Sequence, residues 1–178
     1  YGELLAPNRI NITQSSGPVQ ALEARNVILA MGSRPAVPSF IDVDGAFVQT
    51  TDQALDTENI PKEIVIVGGG VIGIEMATIY LNLGSKVTII EMLPDILITE
   101  DKEIRQTMLK LLLLRGAEVH LNARLKEIKS EKDGVTVIFE DRENTVVRNQ
   151  TRRVLIATGR APVLDGIDPA EWGLAMDG

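Results

Sequence analysis

The chain has 178 residues, 44% of them hydrophobic and 24% charged, a composition typical of a compact globular body with attached segments. Its net charge of -7 and aromatic content of 3% disfavour a nucleic-acid partner, which needs basic and stacking side chains. No apolar run reaches the roughly 18 residues of a transmembrane helix, so we expect no membrane segment and a cytoplasmic location. Zero cysteines and a single histidine, His120, exclude disulfides, thiol nucleophiles and zinc sites built from thiolates or several histidines.

The first part of the chain alternates short strand patterns with loops. Residues 10–13 predict one strand, and residues 26–31 (NVILAM) predict a second, mostly apolar strand. Two prolines and a glycine between residues 35 and 45 then interrupt regular structure, which predicts a linker. Thr51 is the predicted N-cap of a short helix over residues 52–55.

A strand-helix alternation begins at residue 63. Residues 63–68 (EIVIVG) form a continuous apolar run of the kind found in parallel strands buried on both faces. Residues 71–83 carry apolar side chains at helical spacing before a stop at Gly84. The next strand covers residues 86–91, and the next helix, over residues 101–115, has acids early and bases late. This alternation predicts βαβ units and a parallel sheet.

The pattern changes after a third parallel strand at residues 118–121. Short alternating segments between residues 125 and 148, separated by turn residues, predict a β-meander. Residues 153–159 predict a last buried strand, and residues 162–178 form a loop-rich tail. The predicted fold is therefore a Rossmann-like α/β domain, with a parallel sheet, βαβ units and a β-meander.

The glycine-rich segment at residues 68–73 fits the pattern G-x-G-x-x-G and lies between a buried strand and an amphipathic helix. In that position Gly68 permits a tight turn, Gly70 lets the backbone approach a pyrophosphate, and Gly73 lets helix and strand pack closely. We therefore predict a dinucleotide-binding loop. Its cofactor-binding residues are Gly68, Gly69, Gly70, Val71, Ile72, Gly73 and Ile74.

Glu91 ends the second strand of this unit and lies 91 - 68 = 23 residues after Gly68. A carboxylate about 20 residues after the first glycine binds the ribose hydroxyls of NAD. The same charge repels the 2′-phosphate of NADP, and the next arginine is as distant as Arg105, which we expect to be a solvated helix residue. NAD is therefore the predicted cofactor, although Glu91 ending its strand in solvent is the structural alternative.

Three further features have both a functional and a structural interpretation. Glu75 lies one turn into the glycine-loop helix, beside the expected cofactor path, but it is also explained as an ordinary exposed acid. His120 is expected to be only a surface or partly buried histidine. Residues 111–114 are all leucine, so we expect that helix to be covered by the sheet and by another domain or subunit.

Four segments together, VILAMGSRP, IPKEIVIVGGGVIGIEMATIYLNLGSKVTIIEMLPDIL, DKEI and RRVLIATGRAP, resemble the flavoproteins with two dinucleotide-binding domains. The resemblance is greatest to the dihydrolipoamide dehydrogenases, of the class I pyridine nucleotide-disulfide oxidoreductase family, and covers nearly the whole chain. It implies that residues 68–75 and Glu91 bind NAD, that Leu125 lies by the adenine, and that Gly159 approaches the nicotinamide. It also places Glu75 near nicotinamide and flavin.

The resemblance implies three parts of the chain: residues 1–45 as the end of an FAD domain with a linker, residues 46–161 as the NAD-binding domain, and residues 162–178 as a return segment towards the FAD domain. The family's Ala-Thr-Gly-Ser segment reads Ala-Met-Gly-Ser here, so a methionine replaces the usual threonine. The implied FAD-contacting residues are Gly2, Met31, Gly32 and Ser33.

Several parts of the family are missing from this sequence: the FAD glycine fingerprint, the redox cysteine pair and the dimerisation domain with the catalytic histidine. Because the chain also starts at Tyr1, we expect an internal fragment that is not catalytic alone. The intact protein is expected to pass electrons from dihydrolipoamide through a disulfide and FAD to NAD. Its expected partners are those missing domains, a second copy in a homodimer, and a 2-oxo acid dehydrogenase complex.

Other interpretations remain open at the level of sequence. Mercuric reductases and soluble transhydrogenases share this region and differ chiefly in the parts that are missing. A non-catalytic NAD-sensing module, signalling through the leucine face at residues 111–114, belongs to a different functional class. A purely structural α/β domain is a third, for which the glycines and Glu91 are unneeded.

Overall fold

The computed structural model describes residues 1–176 and divides the chain into two compact units. The central unit is Pro35–Arg160, and the other consists of Tyr1–Arg34 with the residues from Ala161 onward. The sequence placed the first domain boundary after residue 45 instead. Ile41 is buried in the central unit's core, so the predicted linker packs as part of that unit.

The described residues contain thirteen strands and three helices. The strands are β1 (Gly2–Ala6), β2 (Arg9–Ile12), β3 (Gln20–Glu23), β4 (Ser33–Pro35), β5 (Val48–Thr50), β6 (Glu63–Val67), β7 (Lys86–Ile90), β8 (Glu118–His120), β9 (Arg124–Glu131), β10 (Gly134–Glu140), β11 (Val146–Thr151), β12 (Arg153–Ile156) and β13 (Arg160–Pro162). The helices are α1 (Thr51–Leu55), α2 (Val71–Asn82) and α3 (Lys102–Leu114).

The central unit is built on a five-stranded parallel sheet with the order β5-β12-β6-β7-β8. Ile64 and Ile66 of β6 pack in one core cluster with α2 and α3, whereas Val65 and Val67 pack in a second cluster with the meander. Successive strand residues point to opposite faces, so an unbroken apolar run is what a sheet covered on both faces requires. The predicted α/β fold class is confirmed.

The predicted meander is present as an antiparallel sheet with the order β11-β10-β9. All but the last residue of β10 are buried, and Phe139 and Val137 contribute to the second core cluster. The meander thus covers the face of the parallel sheet that the helices leave free.

The first helix begins one residue earlier than predicted. Thr50, rather than Thr51, is its N-cap, and the Thr50 N–H donates to Gln53 Oε1 at 2.8 Å. This is the capping-box arrangement, in which the third helical residue reaches back to the cap and satisfies a free N–H. Because both positions are threonine, the composition alone does not distinguish them.

In the other unit, β1, β2 and β3 form an antiparallel sheet. The short strands β4 and β13, which include the residues at the unit boundaries, pair with each other. The strand predicted at residues 26–31 is wrong: this segment has no strand conformation, and Ile28 is 90% exposed. A strand needs a neighbour for its backbone hydrogen bonds, and residues 1–176 offer this segment none. No helix within residues 1–176 has the length and apolarity to cross a membrane.

Candidate dinucleotide-binding site

The candidate site lies at the carboxyl edge of the parallel sheet, where the strand order changes direction. From β6 the chain proceeds outward through β7 and β8, whereas β12 returns on the other side of β6. Ligands of open α/β sheets bind in the crevice at such a switch point. A Cβ on Gly68 would lie 2.3 Å from the Ala157 carbonyl oxygen, so the loops after β6 and β12 touch there.

Two of the three fingerprint glycines are required by close packing. Gly68 has a φ of +112°, a backbone conformation that other residues rarely adopt. A Cβ on Gly73 would lie 2.0 Å from the Gly68 carbonyl oxygen, since α2 is pressed against the loop at that point. These contacts hold the start of α2 against the end of β6.

Gly70 differs, because nothing lies within 4 Å of the position that its Cβ would occupy. It is the N-cap of α2, and its carbonyl accepts the first helical hydrogen bond, from the Ile74 N–H at 3.0 Å. The N–H groups of the first turn have no partner within the helix and carry its positive partial charge. Open space in front of such a helix start fits an anionic pyrophosphate.

Glu91 follows β7 directly and is 7% exposed. Its Oε2 accepts the Gly69 N–H at 2.5 Å, and its Oε1 accepts the Leu93 N–H at 2.7 Å. The carboxylate therefore faces the glycine loop and not bulk solvent, which removes the structural alternative of a strand ending in water. A carboxylate has about four acceptor positions, so two remain for hydroxyl donors of a ligand.

Ile96 and Leu97, in the segment after Glu91, also contact the glycine loop, and the sequence did not predict these contacts. The Leu97 N–H donates to the Gly69 carbonyl oxygen at 2.8 Å. A Cβ on Gly69 would lie 3.0 Å from Ile96 Cγ2. A positive φ of 49° at Leu97 shapes this turn, and nothing in the sequence signals it because leucine rarely adopts such a φ.

The structure brings the remaining dinucleotide candidates towards the same edge. Glu75 is exposed on α2, one turn after the exposed Val71. Leu125 lies at the start of β9, just after Ala123, whose N–H donates to the Glu91 carbonyl at 2.9 Å. Gly159 follows β12, and its carbonyl accepts the Ala36 N–H at 2.9 Å.

The flavin candidates lie in the other unit. Gly2 is exposed at the start of β1 and pairs with Ile12. Gly32 has a φ of +79°, and its carbonyl accepts the Val163 N–H at 3.0 Å. Met31 is partly exposed, and Ser33 begins β4. These residues belong to different sheets or loops of that unit.

Two other residues considered in the sequence, His120 and Arg105, contact neighbouring side chains. The His120 Nε2 lies 2.8 Å from Glu118 Oε1, and its ring packs edge-on against Phe139. Arg105 is not the solvated residue that we expected, because its guanidinium pairs with Asp95 at 3.1 Å and its side chain is only 19% exposed. In residues 1–176 no group of side chains is arranged to hold a metal ion.

The leucine run at residues 111–114 is covered on one face only. Leu112 is buried in the core with the sheet, whereas Leu111, Leu113 and Leu114 are 49%, 51% and 73% exposed. Covering of that exposed face by another domain or subunit stays a prediction.

The family model described as pyridine nucleotide-disulphide oxidoreductase matches residues 5–178. The chain belongs to this family. The family assignment agrees with the two features built into the sheet edge, a glycine loop at a helix start and an acid after the next strand.

Curated relatives narrow the assignment within the family. Dihydrolipoyl dehydrogenases from Acholeplasma laidlawii and Bacillus subtilis are each 36% identical to the chain, over 99% and 94% of its length. These matches cover 50% and 37% of the relatives' own lengths, so the chain spans at most about half of them. The resemblance predicted from the sequence, to a segment of a dihydrolipoamide dehydrogenase, is confirmed.

Solved structures of the family have the same fold. LpdA from Mycobacterium tuberculosis superposes with a TM-score of 0.82 at 26% identity, over 99% of this chain and 39% of that one. The HOCl-induced flavoprotein disulfide reductase RclA from Escherichia coli superposes with a TM-score of 0.77 at 25% identity, over the same shares of the two chains. The chain therefore has the fold of a segment of these two proteins and spans 39% of each.

Proposed function

We propose that this chain is the NAD-binding portion of a flavin-dependent dihydrolipoamide dehydrogenase. The observation that carries the proposal is the open space at Gly70, in front of the first turn of α2 and at the switch point of the sheet. Backbone N–H groups and the helix dipole favour a pyrophosphate there. The 36% identity to dihydrolipoyl dehydrogenases, against 25% to the HOCl-induced reductase, favours dihydrolipoamide as the substrate of the intact protein.

The choice of NAD over NADP rests on Glu91. Its carboxylate is held in place by the Gly69 and Leu93 N–H groups and keeps acceptor positions for the two ribose hydroxyls. A 2′-phosphate in the same place would bring two anions together in a nearly solvent-free environment. The nearby guanidinium of Arg105 is engaged by Asp95, so it supplies no ready counter-charge.

The other dinucleotide candidates are assigned to the two ends of the cofactor along the sheet edge. Leu125 is assigned to the adenine end, because its segment is tied to the Glu91 backbone through Ala123. Gly159 and Glu75 are assigned to the nicotinamide end. A nicotinamide held at that end would supply the hydride acceptor for the flavin of the intact protein.

The activity of the intact protein needs parts beyond this chain, since the sequence holds no cysteine to exchange with a disulfide. Gly2 and the segment 31–33 are assigned as a minority of the FAD contacts. Dimerisation with a second copy, association with a 2-oxo acid dehydrogenase complex and a cytoplasmic location complete the proposal.

A calorimetric titration of the chain with NAD and NADP tests the proposal. We expect NAD to bind about tenfold or more tightly than NADP, because two anions facing each other cost at least about 1.4 kcal/mol, which is a tenfold ratio of Kd. The ratio should shrink in Glu91→Gln. Glu63→Gln, an exposed glutamate at the opposite end of the sheet, is the matched control and should leave the ratio unchanged.

The ratio separates the ribose role from a general loosening of the loop. A glutamine side chain has one acceptor oxygen and an NH2 group in place of two acceptor oxygens, so Glu91→Gln also loses the hydrogen bond from either the Gly69 or the Leu93 N–H. Such loosening lowers both affinities together and leaves their ratio intact. Equal affinities of the unaltered chain for NAD and NADP, or no binding of either, would overturn the proposal.

A further inference from the structure

We propose that the ion pair between Arg105 and Asp95 positions the glycine loop and thereby sets the affinity of the site for the dinucleotide. The part of this inference that concerns affinity rests on the proposed function, whereas the part that concerns the loop does not. Arg105 lies in the first turns of α3 and acts through intermediate residues. It is therefore a positioning residue and not a binding residue.

The backbone of Gly69 is fixed on three sides by residues 91–97. Its N–H is taken by Glu91 Oε2 at 2.5 Å and its carbonyl by the Leu97 N–H at 2.8 Å. The Ile96 side chain, fully buried, packs against its α-carbon. Gly69 precedes Gly70, so the orientation of this peptide fixes the space proposed for the pyrophosphate.

The turn at residues 95–97 does not hold its shape by the local preference of its residues. Leu97 has a φ of +49°, an unfavourable conformation for a residue with a branched side chain at Cγ. Such a backbone conformation persists only where its surroundings impose it. The Leu97 carbonyl accepts the Glu100 N–H at 2.8 Å, and its side chain is buried.

Asp95 connects this turn to α3. Its Oδ1 accepts the Ile96 N–H at 2.9 Å, and its Oδ2 accepts Arg105 Nη1 at 3.1 Å. The two side chains are 21% and 19% exposed, so water and salt screen this ion pair less than the surface pairs of the chain. The helix behind Arg105 is itself anchored, since Leu112 lies in the core.

These contacts form a continuous path from α3 to the glycine loop. Arg105 holds the Asp95 carboxylate, which caps the Ile96 N–H, and the following Leu97 N–H holds the Gly69 carbonyl. Without the guanidinium, Asp95 can turn towards water. The positive φ at Leu97 is then held only by the Glu100 N–H after it and no longer by the Asp95 contact before it. The peptide group between Gly69 and Gly70 is then free to rotate, and the N–H groups at the start of α2 lose their fixed direction.

The test compares Arg105→Met with Arg115→Met in the 178-residue chain. Both substitutions keep most of the aliphatic stem and remove the charge. Arg115 lies at the other end of the same helix, where its Nη2 donates to Asn82 Oδ1 at 2.7 Å, far along α3 from the loop. Amide hydrogen exchange by NMR without any ligand reports the loop, and a titration with NAD reports the affinity.

We expect Arg105→Met to accelerate exchange at the Leu97 and Gly69 amides by about tenfold and to raise the Kd for NAD by about threefold to tenfold, effects typical of residues coupled through shared contacts. Exchange at Val65, in the middle of the sheet, should not change. Arg105→Lys should restore most of the protection, and Arg115→Met should change neither measurement.

Unchanged exchange at Leu97 and Gly69 in Arg105→Met would overturn the inference. Acceleration at Val65 to the same degree would also overturn it, because that result shows general destabilisation. If Arg105→Met does not fold, Asp95→Asn gives the same test, since it keeps the Oδ1 acceptor and removes the charge. Accelerated loop exchange in a chain that binds no NAD would reject the proposed function and leave the positioning role intact.

Discussion

Two apolar segments of similar composition adopt different structures in this molecule. Residues 63–67 (EIVIV) form β6, paired on both sides by β7 and β12, and all but the first residue are buried. Residues 26–31 (NVILAM) form no strand, and Ile28 at their centre is 90% exposed. The difference shows that an apolar run becomes a strand only where other strands are present to take its hydrogen bonds.

The two candidate cofactor regions differ in the same way. The contacts that shape the glycine loop come from within residues 35–160, among them those of Ala157, Glu91 and Leu97. The flavin candidates, Gly2 and residues 31–33, lie in the other unit, where the Gly32 carbonyl accepts the Val163 N–H. The dinucleotide site is thus distinguished by contacts that come from one unit and meet at a single loop.

The largest expected effect comes from the packing of the glycine loop itself. Gly73→Ala places a methyl group 2.0 Å from the Gly68 carbonyl oxygen, so helix and strand must separate. We expect a loss of about 4 kcal/mol or more in the free energy of unfolding, measured with urea. Gly70→Ala, with open space at its Cβ, is the control and should change stability by less than about 1 kcal/mol. Similar losses in both variants would contradict the close packing at Gly73.

A milder pair of substitutions compares the two apolar segments directly. Ile66→Val removes one methylene from a fully buried side chain, and we expect it to cost about 1 kcal/mol in urea unfolding. The same change at Ile28 removes it from an exposed side chain and should stay within about 0.5 kcal/mol. An equal loss at Ile28 would mean that residues 26–31 are packed in solution.

A pH effect tests how the start of the central unit is held. Burial alone raises the pKa of Asp44, but hydrogen bonds from the Val48, Ala46 and Phe47 N–H groups outweigh it and lower the pKa below 3.8. A lowered pKa gives stability that is present above pH 3.8 and is lost as the pH falls through the folded value. The thermal unfolding midpoint of the unaltered chain should therefore fall more steeply than that of Asp44→Asn between about pH 4 and pH 2. Parallel curves would show that these hydrogen bonds are absent in solution.

The smallest expected effect concerns a buried hydroxyl. Tyr80 is 2% exposed, and its hydroxyl lies beside Arg153 but makes no hydrogen bond of normal geometry among residues 1–176. Burial raises its pKa, and the charge and hydrogen bonding of Arg153 oppose that rise. Because the hydroxyl makes no well-formed hydrogen bond, Tyr80→Phe should unfold within about 0.5 kcal/mol of the unaltered chain or be more stable. A loss above about 1.5 kcal/mol would indicate a strong partner for the hydroxyl.

Most of the central unit could be predicted from the sequence because its signals are local. The apolar run of β6, the helical spacing of α2 and the glycine fingerprint all lie within residues 63–83 and specify one another. The acid at residue 91 followed from its spacing alone. Neighbouring strands are supplied by the same stretch of chain, so local pattern and tertiary structure agree.

What could not be predicted depends on contacts between residues that carry no signal. The Glu91 side chain reaches back to Gly69, and no spacing rule gives the direction of a side chain. The turn at Leu97 needs a positive φ from a residue that rarely adopts it. The strand predicted at residues 26–31 was wrong because its pattern says nothing about whether a partner strand is at hand.

The most direct test of the account is an NAD titration of Gly70→Ala beside the unaltered chain, with Gly2→Ala as a control outside the central unit. The account predicts that Gly70→Ala folds normally, because its Cβ points into open space, but binds NAD at least about tenfold more weakly, because that space is the pyrophosphate site. Gly2→Ala should bind as the unaltered chain does. Equal NAD affinity in Gly70→Ala would contradict the central claim that this loop holds the cofactor.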